Sequence, residues 1–226
     1  MSAPVKLEDM IQSVRRRANI ENQTAFITDV ELTDYINYGL GEVYDMLVES
    51  RAQEYYRSAY TFTTTLNQDS YVITQLDLYE LISVDVNLGN NIVLSARPFM
   101  ESERNRFRWY PGWFYSMPIY YRLQGGKLKF IPAPSAAFSV TLNYYPTFKK
   151  LSDPADSFDG VNGWEEYAIW HAVEACKGKA EEDTSFARTK MMELKEKIEG
   201  LAPDRANYDA ERVHDITADY DPFSLW

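Results

Sequence analysis

The spacing of apolar residues changes twice along this 226-residue chain, and that double switch limits the fold more than any other feature. Leu7, Met10, Ile11, Val14 and Ala18 recur at helical spacing. After a polar linker, Thr28-Asp29-Val30-Glu31 has the form of a capping box, in which Thr28 accepts from the Glu31 backbone and Glu31 reaches back. The helix it opens carries Leu32, Tyr35, Ile36, Leu40, Val43, Tyr44, Leu47 and Val48 on one face and is expected to run to roughly Tyr55. Gly39 and Gly41 each cost that helix about 1 kcal/mol relative to alanine, and they allow another helix to approach closely.

The middle of the chain alternates instead. Tyr60–Thr65, rich in β-branched and aromatic residues, reads as a strand. Tyr71-Val72-Ile73 follows a turn at Asn67-Gln68-Asp69, and Leu81–Leu88 and Ile92–Leu94 flank a hairpin turn at Gly89-Asn90-Asn91. The stretch from Arg97 to Phe107 is expected to form a short helix with Pro98 in its first turn, followed by an aromatic loop, Trp109–Phe114. Ile119–Gln124 and Lys127–Ile131 alternate around Gly125-Gly126, a pair that enters positive φ freely and so favours a tight hairpin. Pro132 and Pro134 end that strand, and Ser139–Tyr145 supplies another.

Helical spacing then returns. Asn162-Gly163-Trp164-Glu165 is a cap-like start, followed by Trp164, Tyr167, Ala168, His171, Ala172 and Ala175. A further helix starts near Asp183-Thr184 and carries Ala187, Met191, Leu194, Ile198 and Leu201, with a solvated charged face from Lys190 to Glu199. Gly200 is expected to stop it in the left-handed C′ position. The fold class is therefore α+β: a bundle of about four helices with an inserted small antiparallel β-unit and an extended C-terminal tail. The expected boundaries are 1–57 and 149–202 for the bundle, 58–148 for the β-unit and 203–226 for the tail.

Charge and composition narrow the function. The chain has 34 Asp and Glu against 23 Lys and Arg, a net charge of −11, so it lacks the global basic footprint of a protein that grips nucleic acid by its phosphates. Arg15-Arg16-Arg17 and the set Arg97, Arg104, Arg106, Arg108 read as solvated or subunit-contact faces. The 17 tyrosines suit polar-edged interfaces and β-surface equally. The single cysteine, Cys176, reads as a buried small hydrophobe. The N-terminus has no apolar signal core and no apolar run is long enough to span a bilayer, so a soluble product made in the cytoplasm is expected.

No nucleotide-binding, zinc-protease, Cys-x-x-Cys or Gly-x-Ser-x-Gly pattern occurs. His171 and Cys176, five residues apart on a helix, point in different directions, and His214 lies in another region. Asp153, Asp156 and Asp159 lack the glycine and closing glutamate of a calcium loop and read as a polar connection. The expectation is a non-enzymatic protein with no catalytic residues, cofactor or metal.

The tail is the part that points to a partner. It is acidic and poor in apolar residues until Asp219-Tyr220-Asp221-Pro222-Phe223-Ser224-Leu225-Trp226. Such a stretch builds no core of its own, yet it ends in bulky groups of the kind that anchor interfaces.

Four segments resemble the head-to-tail connector, or adaptor, proteins of short-tailed bacteriophages. They are Leu7–Ala18 leading to Thr28–Asn37, Pro118–Pro134 with its Gly-Gly hairpin, Tyr144-Tyr145-Pro146 with Leu151, Pro154 and Asp156, and Trp164–Tyr167 with Ala172 and the helix that follows. The resemblance implies a virion protein that forms a ring, usually of twelve copies, beneath the portal protein. Its helical part would build the ring wall, its lower surface would receive the tail nozzle protein, and DNA would pass through the lumen without sequence-specific binding. The tail would grip the portal through Tyr220, Asp221, Pro222, Phe223, Leu225 and Trp226. The alternatives are another phage neck or tail part, or a tail-associated wall hydrolase using carboxylates such as Glu165 or Asp156, with Trp109–Phe114 stacking on sugar.

Overall fold

The structure is a computed structural model that describes residues 4–49, 56–74, 76–103, 118–158 and 163–206, with side chains given up to residue 200. The tail residues Tyr220–Trp226, His214, the aromatic loop Trp109–Phe114, Arg104, Arg106, Arg108 and Asp159 lie outside the described residues. The chain divides into two compact units: Met1–Glu54 with Lys150–Trp226, and Tyr55–Lys149.

The first unit holds four helices: α1 (Leu7–Arg17), α2 (Asp29–Glu49), α3 (Glu165–Lys179) and α4 (Ser185–Ala206). A two-residue ladder between β1 (Val5–Lys6) and β10 (Ser157–Phe158) holds the entry to α1. Helix α3 touches each of the other three helices. It buries Tyr167, Ala168, Ile169, Ala172, Val173 and Cys176, and the helices in contact with it bury Met10 and Val14 of α1, Ile36, Leu40 and Val43 of α2, and Ala187 and Ile198 of α4. Gly39 makes the α2–α3 crossing tight, since a Cβ there would lie 2.6 Å from the Ala168 Cα, whereas one at Gly41 would meet nothing within 4 Å. One of the two glycines therefore permits the close approach expected of both.

Local chemistry sets the helix ends. The Thr28 hydroxyl accepts from the Glu31 backbone N–H at 3.3 Å. The Asp183 carboxylate accepts from both the backbone N–H and the hydroxyl of Ser185, at 2.9 and 2.8 Å, and so caps α4. Helices α1 and α3 both end in Schellman motifs. Asn19 and Glu181 take positive φ, and Ile20 and Glu182 donate back to the carbonyls of Arg15 and Lys177.

Helix α3 starts within the expected segment, and one helix-boundary expectation, at the end of α4, is corrected. Trp164, in α-helical geometry with no side-chain cap bond, occupies the N-cap of α3. Gly200 does not stop α4, which continues to Ala206 through Pro203. The penalty for one glycine, about 1 kcal/mol, is small beside the hydrogen bonds of a 22-residue helix.

The second unit is a pair of four-stranded sheets. One has the order β2 (Ser58–Thr63), β9 (Ser139–Pro146), β4 (Leu78–Gly89), β5 (Ile92–Ser95) and is antiparallel throughout. The other has the order β3 (Ser70–Val72), β8 (Lys127–Ile131), β7 (Tyr120–Gln124), β6 (Arg97–Pro98), and only β6–β7 is parallel. Val84, Val86, Val140 and Leu142 from the first sheet share one core with Tyr71, Leu128 and Phe130 from the second. Both expected hairpins form, on positive-φ pairs at Asn90-Asn91 and Gly125-Gly126. The short helix expected from Arg97 is corrected. Arg97 and Phe99 donate to the Ile119 and Tyr121 carbonyls at 2.8 and 3.1 Å, so the segment is strand β6, followed by one 3₁₀ turn at Glu101–Glu103.

Candidate partner-docking surfaces

The arginine triplet at the end of α1 sorts residue by residue. Arg15 is buried, and its guanidinium donates to the Ile20 and Ile27 carbonyls at 3.4 and 3.0 Å and to the Asp29 carboxylate at 2.6 Å. The α1–α2 linker thus wraps around one fixed cation. Arg17 makes a bidentate pair with Glu166 of α3, one bond at 2.8 Å, and its guanidinium lies 5.0 Å from the Trp170 ring centre. The Glu166 carboxylate raises the Arg17 pKa, so the charge is permanent. Of the triplet, only Arg16 is exposed. The expectation of a solvated or subunit-contact face fails for Arg15, which carbonyls and a carboxylate of the chain itself enclose, while Arg17 stays partly exposed beside Glu166.

Lys179 reaches Glu31 at 2.7 and 2.8 Å, and this contact, with the Tyr35 hydroxyl second, holds the Glu31 carboxyl below its ordinary pKa. Burial first, and then Glu31, push the Tyr35 phenol up to about 12. In α2, the Asn37 side chain clamps Leu151 by donating to its carbonyl at 2.9 Å and accepting from its N–H at 2.8 Å. Both groups are buried.

That clamp floors a groove of about 640 Å³. Leu7, Ile11, Val30, Leu151 and Pro154 give it apolar walls, and Glu8, Asp34 and Lys150 lie along its lining. Val30 is 75% exposed and Tyr38, beneath the Lys150 ammonium, is 66% exposed. No feature of the apolar spacing marked this groove beforehand. It arises where residues far apart in sequence, α1 and the 150–154 connection, flank α2.

No catalytic set comes together among the described residues. Cys176 is buried, and burial pushes its thiol up to about 11, away from nucleophilic character at neutral pH. His171 places Nδ1 3.2 Å from the Tyr35 carbonyl oxygen, a structural contact. The Asp156 carboxylate accepts from the backbone N–H groups of Ser152 and Asp153 at 2.8 and 2.9 Å, and so shapes its own loop. Glu165 is half-buried, desolvation raises its pKa, and its Oε2 makes no hydrogen bond among the described residues. No group of three or more potential metal ligands occurs among the described residues, and no helix there is long and apolar enough to cross a membrane.

Charge is unevenly shared between the units. Tyr55–Lys149 has nine Lys and Arg against six Asp and Glu, a net of +3, and the remainder of the chain carries −14. The alternation Lys127-Leu128-Lys129-Phe130 in β8 signals where the surplus lies, because it sends Leu128 and Phe130 into the core and both lysines outward.

The model of the SU10 adaptor protein family matches residues 5–214. No curated protein matches the chain. The matched span takes in all four helices and every described strand. The chain is a member of the SU10 adaptor protein family, a phage head-to-tail adaptor and a structural component of the virion.

Proposed function

We propose that this chain forms a ring, of twelve copies, that joins the portal protein to the tail nozzle and continues the DNA channel without enzymatic activity. The observation that carries this reading is the family match from residue 5 to residue 214. The internal ion pairs agree with it: Arg15, Arg17 and Lys179 stiffen the helical unit and leave its surface acidic. Twelve copies at −11 would place roughly 130 negative charges around the channel, and a like-charged lumen lets DNA slide without sticking.

The docking element is the tail, with Phe223, Leu225 and Trp226 as anchors and Tyr220, Asp221 and Pro222 beside them. These residues lie beyond the matched span, so their role rests on their own chemistry. Deleting Asp219–Trp226 tests it. The truncated protein is expected to keep the helical and strand content of the full chain and to lose capture by purified portal rings. Capture at full-length affinity would sink the tail as the docking element. Electron microscopy of the full chain with portal then places the density at the portal's lower rim or elsewhere in the neck.

A further inference from the structure

The outer face of the β3–β8–β7–β6 sheet carries four cations beside a small apolar cluster of buried Phe99 and Ile131 with partly buried Tyr120, in an otherwise acidic protein. Register brings Arg122 opposite Lys129, and Lys127 opposite both Gln124 and Val72. Arg97 pairs with Tyr120 on the same side and is exposed. Two carboxylates approach this face, Glu101 at 3.7 Å from Arg122 and Asp69 at 3.9 Å from Lys129, both with partly exposed partners. Like charges directly opposite on neighbouring strands are unfavourable in isolation. Among the described residues, four cations here meet two carboxylates.

Helix α2 is the reverse case. Asp29–Glu49 contains six carboxylates and no lysine or arginine. Asp34, Glu42, Asp45 and Glu49 are exposed, with Tyr38 between them, and form a stripe along the helix surface. Glu49 sits in the last turn of Asp29–Glu49, where the helix presents its own partial negative charge and favours cations, with Asp45 one turn before it. The stripe from Asp34 to Glu49 is about 22 Å long at 1.5 Å per residue. The cationic face spans about 10 Å across β8, β7 and β6, and about 13 Å along the strands from the register of Arg97 to that of Lys127. The face therefore fits over half of the stripe.

We infer that the cationic face built by Arg97, Arg122, Lys127 and Lys129 docks on the acidic stripe of α2 in a second copy of this chain. The contact is head-to-tail, because the two patches differ, and head-to-tail contacts generate rings when the rotation closes. For the presence of a second copy the inference rests on the ring reading above. Its test does not depend on the portal.

Self-association of the full-length chain is measured by sedimentation at low and high salt, for the wild type and two double variants. Lys127→Glu with Lys129→Glu cancels the net charge of the face, and Asp45→Lys with Glu49→Lys cancels that of the stripe. The wild type is expected to associate at low salt, and each variant alone to associate roughly tenfold more weakly or worse. A one-to-one mixture is expected to associate more tightly than either variant alone, because the intact face of one meets the intact stripe of the other and the exchanged charges attract in the remaining contact. The rescue also shows that both variants are folded.

A wild type that stays monomeric at low salt overturns the inference while leaving portal capture free to stand. Loss in the face variant without rescue by the stripe variant overturns the pairing. If the face variant associates normally but loses binding to a 30-base-pair duplex, the face serves nucleic acid and the inference fails. Portal capture, followed in parallel, reports on the tail alone.

Discussion

Two glycines in one helix give opposite expectations when each is replaced by alanine. At Gly39 the new Cβ would lie 2.6 Å from the Ala168 Cα, 3.0 Å from the His171 Cβ and 3.1 Å from the Ala168 Cβ. The nearest of these atoms is backbone, so no rotamer change relieves the clash and α2 must move away from α3. Overpacking of this kind costs about 1 to 3 kcal/mol, and a backbone obstacle puts the site at the upper end. The better helix propensity of alanine returns about 1 kcal/mol. Gly39→Ala is therefore expected to destabilise the helical unit by about 2 kcal/mol. Gly41→Ala gains the same propensity term with nothing within 4 Å, and is expected to stabilise by about 0.5 to 1 kcal/mol. Urea denaturation followed by circular dichroism at 222 nm reads the helical signal, with the transition midpoint and slope fitted separately. Equal midpoints for the two variants, or a higher midpoint for Gly39→Ala than for the wild type, would refute the close-contact argument.

Asn37→Ala leaves the Leu151 N–H and carbonyl buried without their side-chain partner. A loss of about 2 to 4 kcal/mol is expected in the same denaturation assay, and a loss below about 1 kcal/mol would mean that water replaces the clamp. Glu165→Gln is expected to stabilise at neutral pH, since desolvation raises the Glu165 pKa and its Oε2 lacks a hydrogen bond among the described residues. Because the folded pKa lies above the unfolded one, the penalty is full above the folded pKa and vanishes below the unfolded value. The gain should therefore disappear as pH falls through the carboxylate range, and thermal melts at several pH values check it.

How much could be read in advance depended on whether the deciding partner was near in sequence. Gly125-Gly126 and Asn90-Asn91 form the turns their residues favour, because positive φ is a property of the turn itself. Thr28 and Asp183 cap for the same reason, with partners two or three residues away. Pro98 suits a first helical turn and an edge strand equally well. The choice fell to the Ile119 and Tyr121 carbonyls, more than twenty positions on. Arg15 looked like a surface charge because its ligands, the Ile20 and Ile27 carbonyls and Asp29, gather only after the linker folds back. The cationic face escaped a reading based on runs of like charge. Lys127 and Lys129 alternate with core residues, and Arg122 joins them through register.

Salt gives the proposed ring a sign that separates its two electrostatic terms. Helical units at −14 repel one another around a closed ring, and screening that repulsion would strengthen association as salt rises. A contact between the cationic face and the α2 stripe behaves in the opposite way and weakens with salt, most steeply below about 0.1 M, where the Debye length exceeds the 10 Å width of the face. The two terms act over different distances. Repulsion sums over every copy, whereas attraction lives in a handful of charges near contact. Reversing Lys127 and Lys129 removes the short-range term and keeps the long-range one, so the sign of the salt dependence should invert in that variant. An adaptor whose association weakens with salt in the wild type and strengthens with salt in the face variant would hold its ring by the contrast between its two units.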